Sequence, residues 1–134
     1  MRTAVPRGDG ETLMIGTDHR RPVEILVEPG TTGAKTLMMG AQTLPPGGEI
    51  PLHQHGQEEI LFVYAGRARI TVGGAAHDVG PETAVFVPGG TPHRIQNTGS
   101  EDLRMTFTMS PPGYEEFFRQ LARAGSDHAA STRG

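Results

Sequence analysis

Apolar and polar residues alternate in two stretches of the chain. In RARITV, Ala68, Ile70 and Val72 are interleaved with Arg67, Arg69 and Thr71; in DLRMTFTM, Leu103, Met105, Phe107 and Met109 are interleaved with Arg104, Thr106 and Thr108. Side chains two apart on an extended backbone share a face, so each stretch predicts a strand with one buried and one wet side. Further strands are predicted over 12–16, 22–27, 35–44, 59–65, 83–88 and 93–97. Turn-forming segments such as PPGG, VGGAAHD and PGGTP divide them. Short strands punctuated in this way predict an all-β, antiparallel sandwich or barrel rather than a βαβ arrangement.

The period changes once, near the C-terminus. Tyr114, Phe117, Phe118 and Leu121 follow i, i+3, i+4, i+7 spacing, which predicts one short helix over about 113–124. Glu115 and Glu116 fall in its first turn, Arg119 and Arg123 further on, and Gly125 stops it, all in the sense that the helix dipole favours. The helix is expected to pack on the outside of the sheet. Residues 126–134, with His128 among them, are expected to form a flexible tail, and the first ten residues are expected to be mobile as well.

Length and composition narrow the chemistry. At 134 residues the chain is expected to form a single domain over 1–134, with a barrel core over about 35–110. It has no cysteine, which excludes thiolate zinc sites, iron–sulfur clusters and thiol catalysis. A net charge of -3 and the lack of any Lys/Arg block give no footprint for nucleic acid or an anionic membrane. The opening MRTAVPRGDGETLMIG has no apolar signal-peptide core, so a cytoplasmic location and a small-molecule partner are expected.

Histidine and carboxylate are the remaining ligand types, and they are concentrated. In PPGGEIPLHQHGQEEILFVYAG, His53 and His55 are two apart and point to one side of an extended segment. A turn at GQE folds the next strand back and brings Glu59 beside them, while VPGGTPHRIQN places His93 at the start of another strand. Three imidazoles and one carboxylate make a site for a divalent transition metal. Glu58 competes with Glu59 on adjacency alone. His77 and His19 are expected to be exposed loop residues, Asn97 to fix a turn, and Met38, Met39, Met105 and Met109 to serve as core packing.

The same residues carry a family resemblance. Gly47, five residues, His53, one residue, His55, three residues, Glu59, six residues, Gly66 resembles the first cupin motif at every defining position, and Pro88, Gly90, His93 and Asn97 resemble the latter part of the second. One departure stands out: the family usually has Gly six residues before the motif proline, often followed by Asp, where this chain has Glu82 and Thr83. The resemblance covers about 40–109. It implies a double-stranded β-helix, or jelly-roll barrel, and one metal ion per chain (Fe, Mn, Ni, Co or Zn) held by His53, His55, Glu59 and His93.

It also implies a homodimer, paired through sheet edges and exchanged N-terminal strands such as TLMIG and PVEILV. Leu61, Val63, Ile95, Met105 and Phe107 are expected to face inward and make a mostly apolar substrate pocket, suited to a phenolic or enolic molecule that chelates through oxygen. The chain is similar to small quercetin-dioxygenase-like cupins, including a PPGYEEFF segment able to cover one end. The leading expectation is therefore a metal-dependent dioxygenase with Glu59 doubling as catalytic base. A non-redox isomerase, lyase or polyketide cyclase and a non-catalytic binding module are the alternatives.

Overall fold

A computed structural model describes residues 1–18 and 20–128 of the chain. It contains strands β1 (Glu11–Ile15), β2 (Arg21–Val27), β3 (Met38–Leu44), β4 (Glu49–His53), β5 (Glu58–Ala65), β6 (Ala68–Val72), β7 (Ala75–Val79), β8 (Thr83–Val87), β9 (His93–Asn97) and β10 (Leu103–Ser110). A single helical turn, α1 (Pro29–Thr32), follows β2, and the helix α2 (Tyr114–Ala124) follows β10.

The strands form two antiparallel sheets, one in the order β1-β2-β3-β10-β5-β8 and the other β4-β9-β6-β7. From β3 to β6 and again from β7 to β10, the chain alternates between the sheets or spans them in hairpin pairs, which is the winding of a jelly roll. The two inner faces meet in one core, in which Leu61, Val63, Ile70, Leu103, Met105 and Phe107 are fully buried.

Register stacks that core in rows. Across the large sheet, Ile25 faces Gly40, Gly40 faces Phe107, Phe107 faces Leu61 and Leu61 faces Val85. The Phe107 ring occupies the space above Gly40: a Cβ there would come within 2.6 Å of Phe107 Cζ and 2.4 Å of the Glu24 carbonyl oxygen. The next row joins Met38, Met109, Glu59 and Val87, so one carboxylate enters an otherwise apolar layer. In the small sheet Ile50, Ile95 and Ile70 form one row, and His53, His93 and Val72 form another. The strand pattern thus delivers Glu59 from one sheet, and His53 and His93 from the other, into the same interior.

Two expectations need correction. VGGAAHD contains more than a turn: residues 75–79 form β7, an edge strand paired to β6 through Val72↔Ala75 and Ala68↔Val79. Its residues are almost all exposed, so it shows no period-two signal. His77 is exposed as expected, but on a strand. The helix α2 lies over inward-facing groups rather than on the outside of a sheet. Phe118 packs 5.3 Å from the Phe107 ring, Tyr114 packs 4.6 Å from that of His55, and Arg119 ties the helix to Glu11 and Glu28 at 2.8 and 2.7 Å. The N-terminal strands extend the large sheet, β1 pairing with β2 and β2 with β3. His19 and residues 129–134 lie outside the described residues. No helix among the described residues is long and apolar enough to cross a membrane.

Candidate metal centre

His53 ends β4, His55 follows in the β4–β5 turn, Glu59 is the second residue of β5 and His93 opens β9. A register shift between Ile50 and His53 sets His53 directly opposite His93, with ring centroids 4.1 Å apart. The His55 ring lies 4.9 Å from that of His93 and 5.8 Å from that of His53. Glu59 Oε1 sits 3.2 Å from both His55 Nε2 and His93 Nε2. All four side chains are 5% exposed or less. Glu58 points outward and is exposed, which leaves Glu59 as the inward carboxylate.

Backbone carbonyls fix the orientation of each imidazole. Nδ1 of His53 is 2.7 Å from the Pro51 carbonyl oxygen, Nδ1 of His55 is 3.2 Å from that of Gln57, and Nδ1 of His93 is 2.8 Å from that of Thr91. A carbonyl oxygen only accepts, so each Nδ1 donates outward to the backbone and Nε2 is the nitrogen left to face the interior. One ring nitrogen from each of the three histidines lies within 4.8 Å of the others. Nε2 of His93 is buried and makes no hydrogen bond of acceptable geometry. Buried polar atoms ordinarily have a partner, so an orphaned ring nitrogen facing a carboxylate and two further imidazoles fits a cation.

The electrostatics agree. Burial, reinforced by His128, His93 and His55, drives the His53 imidazole far below its ordinary pKa, leaving it neutral as ligation requires. Burial pushes the Glu59 carboxyl up, but its contacts with His55 and His93 outweigh this and hold it below the usual carboxylate range, hence ionised. Three imidazole nitrogens and one carboxylate oxygen suit Fe, Mn, Co, Ni or Zn as divalent ions.

Leu61, Val63, Ile95, Met105 and Phe107 all face the interior and are at most 2% exposed. They are packed against one another and against α2 rather than around a wide opening. Asn97 fixes a turn, as expected: its Nδ2 donates to the carbonyls of Leu44 and Glu101, and its Oδ1 accepts from Gly99 N–H.

Sequence reasoning missed the cover over this centre. Residues 126–128 fold back across it instead of extending as a tail. His128 is 2% exposed, with its ring 4.3 Å from that of His53 and 5.9 Å from that of Tyr114. Burial is the main influence on the His128 imidazole and lowers its pKa to about 4. Asp127 forms an ion pair with Arg21, itself 4% exposed. The only sequence signal was an acid–histidine pair close after a helix stop, and no periodicity singles out such a pair.

A cupin-domain family model matches residues 40–109. Polyketide synthase CurC of Streptomyces cyaneus is 33% identical over 87 residues, which is 64% of this chain and 56% of CurC. Tetracenomycin polyketide synthase protein TcmJ of Streptomyces glaucescens is 29% identical over 100 residues, covering 72% of this chain and 67% of TcmJ. The match to CurC thus spans little more than half of that protein's length. The polyketide cyclase RemF from Streptomyces resistomycificus superposes with a TM-score of 0.70 over 84% of this chain and 83% of its own, at 24% identity. KdgF from Halomonas sp. gives 0.74 over 87% and 99%, at 16% identity. At these identities the structural likeness is one of fold.

Proposed function

Because the chain belongs to the cupin domain family, we propose that it is a metal-dependent enzyme that cyclises a small enolisable polyketone. The observation that carries this reading is the meeting of ring nitrogens of His53, His55 and His93 within 4.8 Å of one another, beside a buried Glu59 whose Oε1 lies 3.2 Å from Nε2 of both His55 and His93. His53, His55 and His93 would hold the ion through Nε2 and Glu59 through its carboxylate. When bound, the ion supplies Lewis acidity that stabilises negative charge developing on a substrate oxygen.

The chain's own groups do the rest. Glu59, kept ionised, accepts the proton from the carbon between two carbonyls, and that carbon then attacks a third carbonyl further along the same substrate, whose C=O π bond opens to an alkoxide. Glu59 returns the proton to the oxygen of the new alcohol, so protons balance with no oxidant consumed. Leu61, Val63, Ile95, Met105 and Phe107 make the layers beside the ligand set apolar, which keeps the surroundings of the reacting carbons free of competing charge. Tyr114, Phe117 and Phe118 keep water from the reacting carbons.

CurC and TcmJ are polyketide synthase proteins, which favours a polyketide substrate, and with it ring closure over the dioxygenation expected from the sequence. The two differ in their need for oxygen. The test is conversion of a synthetic tetraketide by zinc-loaded protein under argon, followed by mass spectrometry. A product isomeric with the substrate, or lighter by water, formed at the same rate in argon and in air, is the expected result. A product that gains oxygen and forms only in air would overturn the reading.

A further inference from the structure

Arg21 stands at the start of β2 with its guanidinium buried to within 4% of full coverage. Nη2 pairs with Asp127 Oδ1 and lies 3.3 Å from His128 Nδ1, whereas Nη1 is buried without a hydrogen-bond partner among the described residues. A guanidinium is a planar fork suited to binding both oxygens of one carboxylate, and Asp127 engages only one side of it. Arg21 and Asp127 also line a cleft of about 220 Å³ at the surface, bounded by Asp18, Arg20, Gly47 and Glu49. The cleft therefore leads to a cation whose present partner belongs to the short segment that carries His128 over His53.

We propose that Arg21 anchors the carboxylate of an acidic substrate, which enters through this cleft, displaces Asp127 and lifts His128 off the metal centre. This rests on the enzymatic reading above and adds to it a substrate class: an enolisable molecule bearing one carboxylate. The charges in the cleft favour a single negative charge. Arg20 pairs with Asp18 at 3.7 Å and Glu49 with Arg94 at 2.6 Å, so once Asp127 leaves, the uncompensated charge is that of Arg21 alone. A phosphate dianion would meet the carboxylates of Asp18 and Glu49, with no second free cation among the described residues to balance it. Displacement also removes two constraints together, because Asp127 Oδ1 accepts the His128 backbone N–H at 2.7 Å.

The test uses the full-length protein, as purified and again after chelation, with metal content measured on both. Benzoate, benzamide and inorganic phosphate serve as probes in calorimetric titrations. Asp127→Ala, which removes the internal competitor, is expected to bind benzoate roughly tenfold or more tightly than the wild type. Adding Arg21→Gln should abolish that gain, and benzamide and phosphate should bind weakly throughout. In the wild type, benzoate should speed hydrogen exchange at the His128 amide, a change that adsorption elsewhere on the surface would not produce. Unchanged benzoate affinity in Asp127→Ala overturns the proposal, as does phosphate or benzamide binding equal to that of benzoate. Asp127→Ala leaves Arg21 in place, so the result stands even where Arg21→Gln fails to fold. Chelated protein reports on Arg21 without the ion, so absence of metal would count against the enzymatic reading and not against this anchor.

Discussion

Single residues decide the chemistry of this interior. Glu59 is both a candidate ligand and the candidate base, and these roles separate on substitution. Glu59→Gln keeps an oxygen donor but loses the ability to take a proton at neutral pH. Turnover of a polyketone should therefore fall by about a hundredfold or more, while metal content falls far less; activity within a few-fold of wild type would remove Glu59 from proton transfer. Glu82 makes a different point. It is the non-glycine residue with positive φ among those described, at 65°, and it occupies the position where the cupin motif usually has Gly. Its N–H donates to the Val63 carbonyl at 2.7 Å, so the tight turn into β8 is kept despite the side chain. A left-handed conformation costs an L-residue about 1–2 kcal/mol, and Gly returns part of that gain as chain entropy. Glu82→Gly should raise stability by about 1 kcal/mol in urea unfolding, and a loss of stability would show that the Glu82 side chain makes up for its backbone.

Elements differ in how they are held, and in how far the sequence shows them. The alternation in β6 and β10 and the i, i+3, i+4, i+7 pattern in α2 are readable because each has one face in the core. At the exposed edge, β7 buries too little to imprint a period, and β4 is interrupted by Pro51 and a register shift. Polar groups also stabilise the N-terminal elements. The Glu24 carboxylate on β2 accepts from Arg7 Nε at 2.6 Å and from the N–H groups of Gly8 and Gly10 at 2.7 and 2.9 Å, binding the leading loop to the sheet. Burial pushes the Glu24 carboxyl up, but these donors outweigh it and hold its pKa below the ordinary 4.5. A carboxyl depressed in the folded state contributes stability that is present above its unfolded pKa and lost as pH falls through the folded value. Glu24→Gln should therefore cost about 1–2 kcal/mol at pH 7, and much less when wild type and variant are compared near pH 3. A difference that is independent of pH would mean that the contribution is packing rather than charge.

At the scale of the molecule, the barrel brings four ligand-type side chains from two sheets and a turn to one buried point, with an aromatic helix and a returning segment laid over it. The four residues were legible from spacing and family likeness, because β-strand geometry fixes where residues two apart must point. The cover was not: His128, Asp127 and Arg21 are far apart in sequence and meet only through tertiary packing. Assembly is a further whole-molecule question. Ile60 and Phe86 face each other across β5 and β8 on the outer side of the large sheet, 49% and 54% exposed, so the homodimer expected from the family resemblance is tested at this face beside the β8 edge. Light scattering should give twice the chain mass, and Phe86→Lys should halve it; a monomeric wild type would remove that expectation. The most direct measurement is elemental analysis of untagged protein, repeated on a His53→Ala, His55→Ala double variant confirmed as folded by circular dichroism. About one divalent transition-metal ion per chain in the wild type, and little in the variant, is the expected result. Wild-type protein that takes up no such ion after incubation with iron, manganese, cobalt, nickel or zinc, or a variant that retains it in full, would contradict a metal centre at these residues.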